Sequence, residues 1–310
     1  RSSDLISIEG GLVELTLRHG NIFYVDKNGD DSNVGDHPNG AFLTLTRALS
    51  FADASIQGPV VIHINAGEYQ EAFPLTVPTN VTIVGADIRN TIIKPTLATN
   101  TNNAFLLDGE TTVENLTITD FFSPGYAFSF KSNAIVTSRS PYIRNVTVIT
   151  KGSVTSASDP RGYDQGDAGK GVLVDGASVS SSSQEASMLF HSCTFITPGV
   201  ESIKLTNGVR VEWLNSFVYF AQQGILLERG STGHLSTDGS TIKYGAEMRC
   251  IGSANVYGEF GIKADGAGTN AYLINHNFTY IGTGKSTEND DTVTIPENEV
   301  VEINSGRVNY

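Results

Sequence analysis

Cysteine is nearly absent from this chain, whose 310 residues contain only Cys193 and Cys250. Two thiols in so long a chain exclude a disulfide framework and a Cys-x-x-Cys metal cluster. Both lie in or beside apolar β-like patterns. A buried, unreactive thiol is therefore the interpretation we favour for each.

Basic side chains are also scarce, because 20 lysines and arginines stand against 33 aspartates and glutamates, for a formal charge of −13. The acidic residues are spread along the chain, so its field repels phosphate backbones and anionic lipid. We therefore expect neither nucleic acid nor membrane insertion. No apolar run reaches the roughly 20 residues of a spanning helix, and no signal-peptide pattern is present. The abrupt start at Arg1 indicates a segment trimmed from a longer protein.

Helical periodicity is rare after residue 60, where alternating Val, Ile, Thr, Phe and Tyr runs are broken by Gly, Asn, Asp and Ser. The exception precedes it: the segment LTLTRALSFADAS, residues 43–55, has apolar residues at helical spacing. The chain is therefore predicted to be all-β with one short helix.

A repeat underlies the β pattern. Four segments align without gaps, VENLTI, IRNVTV, FHSCTF and WLNSFV, and their third positions hold small hydrogen-bonding residues: Asn115, Asn145, Ser192 and Asn215. A second set, including GVLVDG and GILLERG, alternates with the first. A period of about 21–23 residues with short strands and tight turns is typical of a parallel β-solenoid, in which like residues stack in columns. A sandwich or Greek-key barrel is the alternative, but it predicts complementary hairpins and not a chain-long period.

The N-terminal third resembles the start of right-handed parallel β-helices of the pectin lyase-like superfamily. The resemblance rests on the segment YVDKNGDDSNVGDHPNG, the helix after it, and a Gly-x-Tyr-x-Glu motif at Gly67, Tyr69 and Glu71. It implies a loop and a short helix that cap the open end of the solenoid. The domains predicted from it are a lead-in at 1–19, a cap at 20–60, the β-helix at 61–285 and a strand segment at 286–310 that leads to a further module.

Residues 150–310 resemble virion structural proteins of tailed phages that infect marine cyanobacteria. The matching segments include DQGDAGKGVLVDGA, EASMLFHSCTFITPGVE and TNGVRVEWLNSFVYFAQQGI. The resemblance implies a tail-fibre, baseplate or other appendage protein, without a settled activity. It also implies a homotrimer, other virion proteins as partners, and a place in the virion after assembly in the cytoplasm of the infected host.

Catalysis on this fold would need a site, because the fold itself is shared by enzymes and inert spikes. The Gly-His-Gly motif of polygalacturonases, the arginine motif of pectate lyases and the downstream motifs of pectinesterases are absent from the sequence, and no Asn-x-Asp lies within the repeats at 61–285. The insertion at 151–171 interrupts the period and offers the candidate catalytic residues Asp159, Arg161, Asp164, Asp167 and Lys170.

Tyr163, Asp164 and Asp167 of the same insertion are candidates for contact with a glycan or a neighbouring subunit, since loops on a rigid scaffold usually carry binding groups. We favour a structural or subunit contact over glycan binding, and glycan binding over catalysis. A polysaccharide lyase or glycoside hydrolase is thus the minority interpretation. Trp213 could stack on a sugar ring, but it aligns with apolar repeat positions, which favours the core.

The aspartate-rich loop at 24–40 has the first ligand spacings of an EF-hand at Asp26, Asn28 and Asp30. It lacks the glycine and the bidentate glutamate that such a loop requires, at Asp31 and His37. We therefore predict no metal and no cofactor, and assign these side chains to turns. The sequence as a whole predicts a stiff, non-enzymatic β-helical rod in a phage particle, with a host-glycan receptor or depolymerase as the alternative.

Overall fold

Three long parallel sheets wind together into a right-handed parallel β-helix, as the sequence predicts. The computed structural model describes residues 5–8, 11–14, 21–55, 58–136, 139–152, 166–181, 187–236, 241–243, 245–258, 260–281, 301–304 and 306–309. Neighbouring strands in each sheet come from successive coils, so the chain passes each sheet once per coil.

Each sheet is named here by its order in the coil. The first sheet contains Ile22–Val25, Val60–Ile64, Val81–Gly85, Thr112–Thr119, Tyr142–Ile149, Ser187–His191, Arg210–Leu214, Glu247–Ile251, Asn270–Ile274 and Arg307–Asn309. The second contains Gly67–Glu71, Thr91–Pro95, the later halves of Thr112–Thr119 and Tyr142–Ile149, Thr194–Ile196, Phe217–Tyr219, Ala254–Gly258 and Asn277–Ile281. The third contains Leu75–Val77, Phe105–Leu107, Tyr126–Phe130, Lys170–Asp175, Glu201–Thr206, Gln223–Glu228, Phe260–Asp265 and Val301–Asn304.

Smaller elements lie outside these three sheets. A fourth sheet joins Ala134–Val136, Val179–Ser181, His234–Ser236 and Thr241–Lys243. Leu5–Ile8 pairs antiparallel with Gly11–Glu14. The helices in the described part of the chain are Leu45–Ser55 and two 3₁₀ turns, Pro38–Gly40 and Gly176–Ser178. Among the described residues, no helix is both long enough and apolar enough to cross a membrane.

The repeat found in the sequence is the register of the coils. Val113 pairs with Ile143, Ile143 with Phe190, and Phe190 with Trp213, so the four aligned segments stack directly on one another. Because alternate residues of a strand point to opposite faces, this column of apolar side chains enters the interior at every coil.

Aromatic rings fill the middle of that interior. Phe105 stacks on Phe128 with ring centroids 5.6 Å apart. Phe190 lies 5.1 Å from Trp213, and Phe195 lies 5.3 Å from Trp213. Since these rings belong to successive coils, the core is continuous along the axis.

The N-terminal helix is docked by the Gly-x-Tyr-x-Glu motif. Glu71 is buried, and its carboxylate accepts the backbone N–H groups of Leu45 at 2.7 Å and Thr46 at 2.9 Å, together with the Thr46 hydroxyl at 2.6 Å. These are the N–H groups that a helix cannot satisfy internally. The motif therefore ties the first coils to the cap.

Strand pairing extends beyond both ends of the segment expected to form the β-helix, 61–285. Ile22–Val25, inside the expected cap, pairs in parallel with Val60–Ile64. Beyond residue 285, Val301–Asn304 pairs with Phe260–Asp265, and Arg307–Asn309 pairs with Asn270–Ile274. The C-terminal strands thus add to the first and third sheets.

Candidate functional site

The insertion leaves and rejoins the rod at the corner between the second and third sheets. On the return side, Gly166 N–H donates to the Gly199 carbonyl at 2.8 Å, and Ser123 N–H donates to the Asp167 carbonyl at 2.8 Å. The Thr150 hydroxyl, at the departure side, donates to the Gly169 carbonyl at 2.7 Å. The base of the insertion is therefore bonded to the coils on both sides.

The structure describes some of the candidate residues that the sequence offers in the insertion, and not others. Asp159, Arg161, Tyr163 and Asp164 lie outside the described residues. Asp167 is exposed at the base of the insertion, and Lys170 opens the strand that follows it in the third sheet. Of the six candidates, the structure places only these two on the rod.

Lys170 belongs to a cluster with Tyr126 and Glu201, which occupy the same position on neighbouring strands of the third sheet. Its ammonium donates to Glu201 Oε1 at 2.9 Å and lies 5.2 Å from the centroid of the Tyr126 ring. The Tyr126 hydroxyl donates to the same carboxylate oxygen. Three consecutive coils thus contribute an aromatic hydroxyl, a cation and an anion.

The electrostatics of this cluster favour an ionised Glu201. Burial opposes ionisation, but the hydrogen bonds from Tyr126 and Lys170, with the charges of Lys170 and Lys204, outweigh it and lower the pKa of Glu201. Burial and the Glu201 charge raise the pKa of Tyr126. An ionised carboxylate with two donors on one oxygen accepts hydrogen bonds and is poorly suited to act as a general acid near neutral pH.

Sequence reasoning identified Lys170 but missed Tyr126 and Glu201. The three are separated by 44 and 31 residues along the chain, and the insertion breaks the period between the first two. The second repeat set carried the needed signal, because extending it one residue before GVLVDG and SIKLTNG puts Lys170 and Glu201 in one column.

The predicted turn column lies between the first and second sheets. Asn115, Asn145, Ser192 and Asn215 all have positive φ, between 45° and 60°. The Asn145 amide donates to Asn115 Oδ1 at 2.8 Å, and the Asn215 amide donates to the Ser192 hydroxyl at 3.3 Å. Asn tolerates this backbone conformation better than other residues with side chains. These contacts give the column a structural role.

The aspartate-rich loop directs its carboxylates to backbone N–H groups. Asp26 accepts from Asn28 N–H at 2.7 Å, and Asp30 accepts from Ser32 N–H at 2.8 Å. Asp31 accepts from the N–H groups of Leu43 and Thr44, both at 2.9 Å, just before the helix. Within the described ranges, no three His, Cys, Asp or Glu side chains approach closely enough to hold a metal ion.

Trp213 and the two cysteines are core residues. Trp213 is fully buried, and its indole N–H donates to the Ser216 carbonyl at 3.2 Å, so its ring is not available to a sugar. Both cysteines are buried and free. Burial raises the pKa of Cys193 to about 12, which leaves it a thiol at neutral pH.

The chain belongs to a family defined only as a protein of unknown function, DUF1565, whose model matches residues 27–188. This is more than half of the sequence and includes the aspartate-rich loop, the Glu71 motif and the insertion. No curated protein matches the sequence.

Solved structures similar to this chain include carbohydrate-active enzymes. Pectin methylesterase from Yersinia enterocolitica is 16% identical, with a TM-score of 0.45 over 86% of this chain and 90% of that one. Rice weevil pectin methylesterase is 12% identical, with a TM-score of 0.45 over 87% and 86%. A rhamnogalacturonan lyase is 11% identical, with a TM-score of 0.43 over 85% and 75%. These similarities assign no activity to this chain.

Proposed function

We propose that this protein is a structural component of a phage virion, in which it acts as a stiff β-helical rod. The observation that supports the rod is the unbroken register of the first sheet, where ten strands pair in sequence from Ile22–Val25 to Arg307–Asn309. At about 4.8 Å per strand, nine spacings give a stack of about 43 Å.

The stiffness of the rod follows from the backbone hydrogen bonds between successive coils. Interior strands of a solenoid pair on both sides, so unpaired backbone groups are confined to the ends, where a cap prevents further strand addition. Glu71 fixes the cap helix at one end. Aromatic side chains fill the interior over successive coils, and a packed interior resists bending.

The resemblance of residues 150–310 to virion structural proteins supports the particle assignment. Under this proposal the protein assembles in the cytoplasm of an infected host, and its partners are copies of itself, expected to form a trimer, and neighbouring virion proteins. The Tyr126–Lys170–Glu201 cluster then has a structural role, since it locks three coils at the base of the insertion.

Immunogold labelling of intact phage particles, with antibody raised against this protein, tests the assignment. We expect labelling at fixed positions on a tail, baseplate or fibre, and the chain should appear among the proteins of purified particles. Its absence from purified particles would refute the virion role. A distal position would indicate host contact, and an internal one would indicate a scaffold.

A host-glycan receptor is the second candidate, and the position of the Lys170–Glu201 pair favours it. Their side chains retain 21% and 17% exposure where the insertion rejoins the rod, so both can reach a ligand. Incubation with host surface polysaccharide separates the alternatives: binding without cleavage supports the receptor. New reducing ends or unsaturated sugars that disappear in Asp164→Ala or Asp167→Ala would establish a depolymerase.

A further inference from the structure

Among the residues that the structure describes, the outer face of the second sheet carries no charge over five consecutive coils. Its outward positions alternate with the buried Val148, Phe195 and Val218. They are Thr147, Ile149, Thr194, Ile196, Phe217, Tyr219, Ala254, Val256, Asn277 and Thr279. Ala254 is itself largely covered by its neighbours, with 7% exposure. We call these ten residues the neutral face. The chain as a whole contains 33 acidic and 20 basic residues.

The other two faces of the rod carry charges that pair across coils. On the first sheet, Arg144 bonds to Glu114, and Arg249 lies 3.7 Å from Glu212. On the third, Lys204 lies 3.1 Å from Glu228. Toward the N-terminus the next coil is also uncharged at Thr117 and Thr119, and the two strands before it carry Glu68 and Lys94, 2.5 Å apart.

The neutral face continues around one edge of the rod. At the turn column, Asn215 and Asn275 flank Gly252. Beyond the turn lie Leu214, Ile251 and Ile274 in one column of the first sheet, the last two 39% and 54% exposed. The same column holds Glu114 and Arg144 nearer the N-terminus. The uncharged surface is therefore broadest in the C-terminal half.

We propose that copies of this chain pack side by side through the neutral face, around an axis parallel to the rod. Such an axis brings each residue near it against the same residue of the next copy at the same height. Like charges would meet there and repel, whereas threonine, valine, isoleucine and aromatic side chains can pack against their own kind. The inference rests on the proposed rod function and names the surface through which the rods associate.

Sedimentation analysis of the purified chain and its variants tests this surface. Tyr219→Lys and Asn277→Lys each place like charges at the axis, so each is expected to shift the oligomer to monomer while the circular dichroism spectrum is unchanged. The matched control is Ile135→Lys, which adds the same charge to an exposed strand residue of the fourth sheet. It should leave the oligomer intact. A monomeric wild-type chain, or an oligomer that both neutral-face variants preserve, would overturn the proposal.

Disulfide trapping tests contact between copies through the neutral face. Thr279→Cys introduces an exposed thiol, while Cys193 and Cys250 are buried and do not compete. Mild oxidation should join Thr279→Cys chains to each other but not Ile135→Cys chains. Failure of Thr279→Cys to cross-link would refute packing through the neutral face.

A glycan occupying the neutral face is the alternative outcome. It would be shown by a monomeric wild-type chain whose binding to host polysaccharide is lost in Tyr219→Lys. A monomer that still labels particles would overturn the packing surface and leave the virion role standing.

Discussion

Replacing Glu71 by alanine should release the cap helix from the β-helix. The variant removes a buried carboxylate and leaves the N–H groups of Leu45 and Thr46 without acceptors. The buried Leu45 N–H costs about 1–3 kcal/mol when it loses its partner, and the hydrogen bonds to the part-buried Thr46 contribute about 1 kcal/mol. We therefore expect a loss of about 2–4 kcal/mol in the opening free energy of the cap. Glutamine cannot substitute fully, because its amide nitrogen would face one of the two donors.

Native-state hydrogen exchange measures this loss locally, which matters because a solenoid can open from one end without unfolding as a whole. Because each 1.4 kcal/mol changes an equilibrium constant tenfold, the protection of the amides in Leu45–Ser55 should fall about 30- to 700-fold. Protection in the strands around Trp213 should not change.

Glu68→Ala is the matched control, since Glu68 lies on the same strand as Glu71 but is exposed and pairs with Lys94. An exposed ion pair contributes little to stability, so helix protection should stay within a few-fold of wild type. If the two variants reduce protection equally, the carboxylate of Glu71 does not dock the helix.

Three further results are expected. Asn145→Ala should lower the free energy of unfolding in urea by about 1–2 kcal/mol, whereas Asn145→Gly should recover part of this loss because glycine accepts positive φ. Equal losses in the two variants would show that the positive φ of the backbone is not the cause of the destabilisation. The pKa of Glu201 is lowered, so the stability that its ionised form contributes is present above its ordinary pKa of 4.5 and is lost as pH falls through its folded-state pKa. Glu201→Gln should therefore flatten the curve of unfolding free energy against pH below pH 4.5. An unchanged curve would contradict an ionised Glu201 in the folded chain. Cys193 and Cys250 should react with a thiol reagent only on unfolding, and rapid labelling of the native chain would contradict their burial.

The β-helix could be predicted from the sequence because each coil repeats its chemistry. Val113, Ile143, Phe190 and Trp213 share one position in the repeat, and the strands that carry them pair in that register. Stacking converts a sequence period into a spatial column. One correct alignment therefore predicts the contacts between several coils.

The polar contacts between distant parts of the chain were harder to predict from the sequence. Glu71 was recognised within a motif, but its bond to a helix 26 residues earlier depends on how the cap folds back. Tyr126, Lys170 and Glu201 meet only because the insertion returns the chain to the coil in register. An insertion makes a column of stacked residues hard to recognise in the sequence, since the number of residues between coils no longer equals the period.

The distribution of charge on the rod is better explained by association than by stability. Exposed ion pairs such as Glu114–Arg144 contribute little to folding, and threonine or isoleucine could occupy those positions, as they do on the neutral face. If stability set the surface composition, no face would differ from another. A face that meets its own copy across a parallel axis must avoid charge, whereas faces that meet solvent benefit from charge through solubility. The rod's charge pattern therefore predicts which side is hidden between copies of the chain and which sides remain exposed.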